Sequence, residues 1–228
     1  MIKVKIVMNK ISLIIPAKNE MESLQEVLSE IEHNPYVDEK IIIVDSVEDN
    51  SIPIAKKFDC KIIIQKKRGY GSAIIEGFEN AKNEFGCIFN ADYSFDPKYF
   101  EQLIKISKNY MFVFGTRYTK NTTSEDDDII TLMGNKIFSF FTRYFLTIKL
   151  SDILFTYVLC NVETFKKLNL KNNDFKLCIE LPVKVKFNGF SYTELPMNER
   201  KRFGGKKKVN VLLDGFHILI EIIKSFKY

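Results

Sequence analysis

Short runs of branched apolar residues recur through the first half of the chain: ISLII at 11–15, KIIIV at 40–44, KIIIQ at 61–65, GCIFN at 86–90 and MFVFG at 111–115. Between them lie longer stretches with helix-like patterning. Continuous apolar runs of this length, separated by helical patterns, predict buried parallel strands. Helices are expected over 20–32, 51–58, 72–83 and 97–108, the last with Pro97 in its first turn, where a missing N–H costs nothing. The expected fold class is α/β, a mostly parallel central sheet flanked by helices.

Every polar cluster in this half follows a strand: PAKNE the first, DSVEDNS the second, KKRGYGSA the third, ADYSFDP the fourth and TRY the fifth. Ligands of open α/β sheets bind at the carboxyl ends of the strands. The five clusters are therefore expected to converge on one edge. Past residue 116 the pattern changes to an acidic loop over 124–128, read as solvated, then a long amphipathic helix around 130–148 and a helix around 178–188. A strand, FSYTELP, a basic loop, NERKRFGGKKK, and a closing helix over 209–226 complete the chain. With no Gly-, Pro- or Ser-rich linker and no repeat, residues 1–228 read as one domain, its halves meeting at 118 and 119.

The two amphipathic helices raise a question of environment. In the first, Asn135, Ser139, Thr142 and Thr147 with Lys136 and Arg143 form one polar stripe, leaving Ile137, Phe138, Phe140, Phe141, Tyr144, Phe145 and Ile148 as a broad apolar surface. The closing helix confines Asp214, His217, Glu221 and Lys224 to a narrow stripe. Burial in a core explains part of each face and is the simpler reading, yet helices so broadly apolar, rich in aromatics and flanked by Lys, also suit the plane of a bilayer interface. Neither segment supplies the roughly 18 uninterrupted apolar residues of a membrane span, because Arg143, Asp214 and Glu221 intervene.

Composition sets limits. At 46% apolar and 28% charged residues, the chain is that of an ordinary folded protein rather than a disordered one. The balance of 34 basic and 29 acidic residues leaves +5, too mild to imply nucleic acid but compatible with an anionic ligand or membrane surface. Cys60, Cys87, Cys160 and Cys178 are widely spaced in apolar surroundings and read as reduced core residues of a cytosolic protein. No export signal opens the chain, so the Asn121 sequon reads as a chance match. His33 and His217 have no partner pattern.

Candidate chemistry begins with NADYSFDP. Magnesium and manganese take hard oxygen ligands, often one or two carboxylates completed by substrate phosphates. Asp92, with Asn90 two residues before it and Ser94 two after, offers such a partial shell; capping of a helix at Pro97 by Ser94 or Asp96 leaves Asp92 unexplained. Asp45, at a strand end, stands where sheets of this kind read a ribose hydroxyl or base edge, whereas Asp49 and Ser51 read as turn and cap. The glycines of KKRGYGSA let backbone amides approach phosphate, or simply make a tight turn. The basic loop suits a diphosphate or anionic lipid, and a solvated charge run remains open for Lys201, Lys206 and Lys207.

In order and spacing these segments resemble the GT-A-fold, family 2 glycosyltransferases, most closely the dolichol-phosphate mannosyltransferase-like branch, which moves sugars from nucleotide sugars to polyprenyl phosphates. LIIPAKNEMESL resembles the family's opening motif, IIIVDS its nucleotide-reading strand end, RGYGSAIIEGF its glycine turn and helix, and NADYSFDP its DxD-type metal motif. FGTRY is similar to a strand end supplying an arginine, SDILFTYVL to a motif that starts with Asp, and the segment ending ERKRFGGKKKVN to an R-x-G-G-x-x-K loop. The departures are Asn90 for the first acid, a second motif one residue short, and Thr156 and Val158 for a glycine and a basic residue.

The resemblance implies an inverting, metal-dependent hexosyltransferase of GT-A fold using a GDP- or UDP-sugar, Mg2+ or Mn2+, and dolichyl or undecaprenyl phosphate. Its catalytic residues would be Asp92, Arg117, Arg202 and, as base for a hydroxyl acceptor, Glu180. Substrate would meet Pro16, Ala17, Asn19, Glu20, Asp45, Gly71, Asn90, Ala91, Lys136, Asp152 and Lys208, and the metal Asp92, Asn90 and Ser94. The implied location is cytoplasmic, peripheral on the cytoplasmic face of a membrane, with no nucleic-acid partner. A soluble or glycan acceptor and a catalytically impaired nucleotide-binding relative stay open as alternatives. A sugar-phosphate nucleotidyltransferase does not fit, because PAKNE stands where its glycine-rich signature belongs.

Overall fold

The computed structural model describes residues 10–204 and 211–227, without the side chains of Val211 and Leu212. Strands β1 (Ile11–Pro16), β2 (Val37–Val44), β3 (Lys61–Ile64), β4 (Phe85–Ile88), β5 (Phe112–Thr116), β6 (Val158–Asn161) and β7 (Tyr192–Pro196) form one sheet in the order β3-β2-β1-β4-β6-β5-β7. Neighbours are parallel except β6, which is antiparallel to both β4 and β5. Two reversals cancel, so β5 runs with β1 to β4 and the loops after these five strands share one edge. The apolar pattern does not mark β6, a short strand that emerges from an irregular segment and breaks at Asn161.

The strands are apolar throughout because both faces are covered. Leu13, Ile15, Ile42 and Val44 point to one side, toward α1 (Met21–Ile31), α2 (Ile52–Ala55) and α4 (Phe100–Ser107). Ile14, Ile41 and Ile43 alternate to the other, toward α3 (Tyr70–Asn80), α6 (Val162–Lys167), α7 (Leu177–Phe187) and α8 (Val211–Ser225). The sheet draws on both sides of residue 118, since β6 and β7 flank β5. None of the four cysteines is disulfide-bonded, and Cys87, Cys160 and Cys178 are buried.

Several boundaries differ from expectation for local reasons. The α2 helix has only four residues, because Lys57 and Phe58 bond three residues back, to Ile54 and Ala55, and close the segment as a turn. Pro97–Tyr99 is a 3-10 turn, with the Asp96 carboxylate accepting from the Lys98 amide at 2.9 Å. Helix α5 (Ile129–Phe145) ends three residues short of 148, where Thr147 turns left-handed at φ 54° and Leu146 and Ile148 go inward.

The glycines at 69 and 71 are demanded by packing. Gly69 has φ +132°, and a Cβ on it would lie 2.2 Å from the Asn173 carbonyl oxygen; a Cβ on Gly71 would lie 2.2 Å from that of Asn172. The 172–174 loop thus rests directly on the start of α3, where the Ser72 amide donates to Asn173 at 3.0 Å. Gly71→Ala is expected to push this loop away at a cost of about 2 kcal/mol, lowering Tm by roughly 4–8 °C. Thermal melts followed by circular dichroism check this, and an unchanged Tm would contradict the close contact.

Candidate functional site

The five strand-end loops enclose a cavity of about 540 Å³. Pro16, Ala17, Glu20 and Asp45 line it from the loops after β1 and β2, and Asn90, Ala91 and Asp92 from the loop after β4. Arg117 and Arg202 reach it from beyond β5 and β7, and Thr131, Asn135 and Ile218 wall it from α5 and α8.

Asp92 lies where the metal motif turns. Its Oδ1 accepts from the Ser94 amide at 3.1 Å and from the Ser94 hydroxyl at 2.6 Å, while Oδ2 pairs with Arg202 Nη2 at 2.9 Å. Arg202 also lies 3.9 Å from Glu20, so the guanidinium sits between two acids. Asn90 is 3.5 Å from the Ser94 hydroxyl. No group of three or more His, Cys, Asp or Glu side chains is arranged around a metal position among the described residues. The donor set, one carboxylate with an amide and a hydroxyl, fits a magnesium-like ion that takes its remaining oxygens from substrate phosphates.

Arg117 is held differently. Its Nε donates to Asp152 at 2.8 Å, its Nη1 to Glu199 at 2.9 Å, and Asp127 lies within 3.3 Å. Burial alone would depress the arginine pKa, but Asp152 and Glu199 outweigh it and keep the group charged. Burial pushes the Glu199 carboxyl above its ordinary range, against the pull of Arg117. Tyr118 donates to Asp127 at 2.6 Å and accepts from Asn135 at 2.8 Å, linking the cluster to α5.

The acidic run expected to be solvated is therefore folded into the site. Asp126 and Asp127 line the cavity. The Ser124 hydroxyl donates to Glu199, the Glu125 amide bonds the Glu199 carbonyl at 3.1 Å, and Asp128 caps α5 by accepting from Thr131 at 2.8 Å. The signal was present as an acid run followed by a cap, but its partners lie about seventy residues away at Glu199 to Arg202. Glu199, Arg200 and Tyr93 likewise carry no mark in the sequence that sets them apart from the surrounding loop residues.

Other expected site residues lie off the cavity. Asn19 uses its amide to bond the Asp49 carboxylate at 3.0 Å, and Ser51 accepts from the Glu20 amide at 3.0 Å, so the turn after β2 braces the loop after β1. Gly71 contacts the 172–174 loop rather than the cavity. Lys136 is exposed, its Nζ 5.9 Å from the Tyr118 ring centre. Asp152 lies beneath the cavity, bound to Arg117. Glu180 faces away, accepting from the Lys171 and Asn172 amides at 2.8 Å and pairing with Lys184, which removes it as a base at this site. Lys208 is outside the described residues.

A model described as glycosyl transferase family 2 matches residues 12–168. The chain belongs to glycosyl transferase family 2. This glycosyltransferase is 26% identical to a dolichol-phosphate mannosyltransferase of Pyrococcus furiosus over 88% of the chain, and spans 59% of that relative's length. It is 25% identical to an uncharacterized glycosyltransferase of Mycobacterium tuberculosis, covering 92% of the chain and 94% of the relative.

Among solved structures it resembles the glucosyl-3-phosphoglycerate synthase of Mycobacterium tuberculosis in complex with Mn2+, UDP and glucosyl-3-phosphoglycerate, with TM-score 0.74, 14% identity, and 96% and 80% of the two chains covered. It also resembles the mannosyl-3-phosphoglycerate synthase of Rubrobacter xylanophilus, with TM-score 0.67, 13% identity, and 96% and 73% covered. The fold of the glycosyltransferase is GT-A.

Removing the Arg117 guanidinium would leave Asp152, Asp127 and Glu199 facing one another without their shared cation. Arg117→Ala is expected to cost about 3–5 kcal/mol, read as a fall in the urea midpoint, and a midpoint within error of wild type would contradict the cluster's role.

Proposed function

We propose that this glycosyltransferase moves a sugar from a nucleotide-diphospho-sugar to a polyprenyl phosphate at a membrane surface. The observation that carries the reading is that one cavity is walled both by the strand ends and by two helices with apolar outer faces. Helix α5 buries Asn135, Ser139 and Thr142 of its polar stripe, leaves Lys136 and Arg143 exposed, and exposes Ile130 at 71%, Phe140 at 60% and Tyr144 at 69%. On α8, Phe216 is 59% exposed, and Phe226 just beyond the helix meets Phe145 edge-on at 5.7 Å. A helix facing water would be turned the other way. A patch of this kind suits an interfacial position in a bilayer, and no helix among the described residues is long and apolar enough to cross one.

In this reading the base and ribose lie against Pro16, Ala17 and Asp45, with the exposed Lys18, now 2.9 Å from Asp45, free to adjust. Asp92, Asn90 and Ser94 would hold Mg2+ or Mn2+; the bound ion would neutralise charge on the leaving diphosphate. Arg202 adds a guanidinium where the same charge develops, exchanging Asp92 for the donor. Arg117, held by three carboxylates, keeps the 124–128 and 199–202 loops together as one wall. A phosphate acceptor is already anionic and attacks without a strong base. The Pyrococcus relative's name supports the lipid acceptor, and the Mycobacterium structure, which contains UDP and Mn2+, supports the donor and metal.

The test incubates the protein with UDP- and GDP-sugars, Mn2+ and a polyprenyl phosphate, following the glycosylated lipid. Transfer is expected to stop with chelator and to fall roughly 10²–10³-fold in Asp92→Ala. Full activity in that variant would overturn the metal assignment, and transfer to 3-phosphoglycerate but not to the lipid would overturn the acceptor.

The apolar face makes a separate prediction. Phe140→Ser combined with Phe216→Ser is expected to weaken sedimentation with anionic vesicles by at least about tenfold, with Tm retained. Equal binding would remove the membrane role from these faces.

A further inference from the structure

The turn that carries Asp92 belongs to no helix or strand, yet each carbonyl from 92 to 95 has a donor. The Phe203 amide bonds Asp92 O at 2.9 Å and the Arg200 amide bonds Ser94 O at 2.9 Å. The Arg200 side chain supplies the other two, Nε to Tyr93 O at 3.1 Å and Nη2 to Phe95 O at 2.5 Å. Three of these four carbonyls thus depend on one residue.

The same guanidinium is fixed from outside. Nη1 and Nη2 each donate to a Glu30 carboxylate oxygen at 2.9 Å, a forked pair onto α1, and the guanidinium carbon lies 3.9 Å from the Tyr93 ring centre. Phe203 meets the Tyr93 ring edge-on at 6.0 Å. An exposed ion pair by itself contributes little, but forked geometry within a network is the exception. The turn needs such support because Tyr93 has φ 72°, a region disfavoured for residues with a Cβ.

We infer that Arg200 is a positioning residue: it locks the Asp92 turn and the Arg202 loop into one unit braced on α1, setting where the donor's diphosphate and its metal are received. The inference rests on the donor reading above and extends it to a residue that touches neither donor nor metal. Arg200 is two residues from Arg202, whose guanidinium pairs with the Asp92 side chain, so one clamp fixes both partners of that pair. Lysine cannot take its place, because an ammonium lacks the planar fork that serves a carboxylate and two carbonyls together.

Calorimetric titration of UDP and of GDP, each with Mn2+, and of uridine and guanosine without metal tests this on wild type, Arg200→Ala, Arg200→Lys and Glu30→Gln. Arg200→Ala is expected to weaken Mn2+-nucleotide binding about 10–100-fold, as loss of a partner behind a metal ligand does, while binding of the bare nucleoside is unchanged. Arg200→Lys should recover little of the loss. Glu30→Gln, a surface change on α1, should show a smaller weakening of the same kind and carries the test if Arg200→Ala does not fold. Equal Mn2+-nucleotide affinity in the folded variants, or parallel loss of nucleoside binding, would overturn the inference alone. Failure of wild type to bind either nucleotide would overturn the donor reading and the inference with it.

Discussion

Arg117 is buried among Asp152, Asp127 and Glu199, and these acids come from three separate loops. A buried charge without a partner is costly, so the positions of the three loops are coupled through this one cation. The cavity wall formed by 124–128 and 199–202 follows from that coupling. Arg202 and Asp92 make the same chemical pair under different conditions, with side chains 17% and 13% exposed and close to the cavity rather than beneath it. Water reaches this second pair, which makes its exchange for an anionic ligand far less costly. One arginine holds the walls of the site together, and the other pairs with Asp92 within reach of water.

The helices over the cavity obey a second constraint. Asn135, Ser139 and Thr142 of the α5 polar stripe are turned inward, where the Ser139 hydroxyl accepts from the Ile153 amide at 3.0 Å and Asn135 donates to Tyr118, while Lys136 and Arg143 stay exposed. Packing against irregular backbone and a hydrogen-bonded cluster calls for polar groups on that side. The apolar side is then left for whatever lies outside, and the cavity opens between the two environments.

The parallel strands were legible because burial on both faces makes them continuous apolar runs, and their shared edge followed from polar clusters placed after each. Asp45 and Asp92 could be picked out by position and charge and Arg202 only through the family resemblance of its loop, and the structure brings all three to one cavity. The strand β6 was not legible, being four residues of ordinary apolar sequence whose place between β4 and β5 depends on long-range pairing. The glycines at 69 and 71 were visible as glycines, but the backbone that crowds them is a hundred residues further on. The acid run carried no mark of its basic and amide partners at the other end of the chain. Polarity along α5 showed two faces without saying which one met the protein.

The placement of β6 also has a consequence for the order of assembly. Because β6 separates β4 from β5, the Asp92 and Arg117 loops cannot take up their final spacing until the chain has been made through Asn161. A nascent chain ending earlier can pair β1 to β4, while β5 waits for a partner on each side. Non-local strand pairing of this kind is slow and leaves edges exposed, so the β3-β2-β1-β4 part of the sheet is the part able to form first, and the complete cavity follows later in folding.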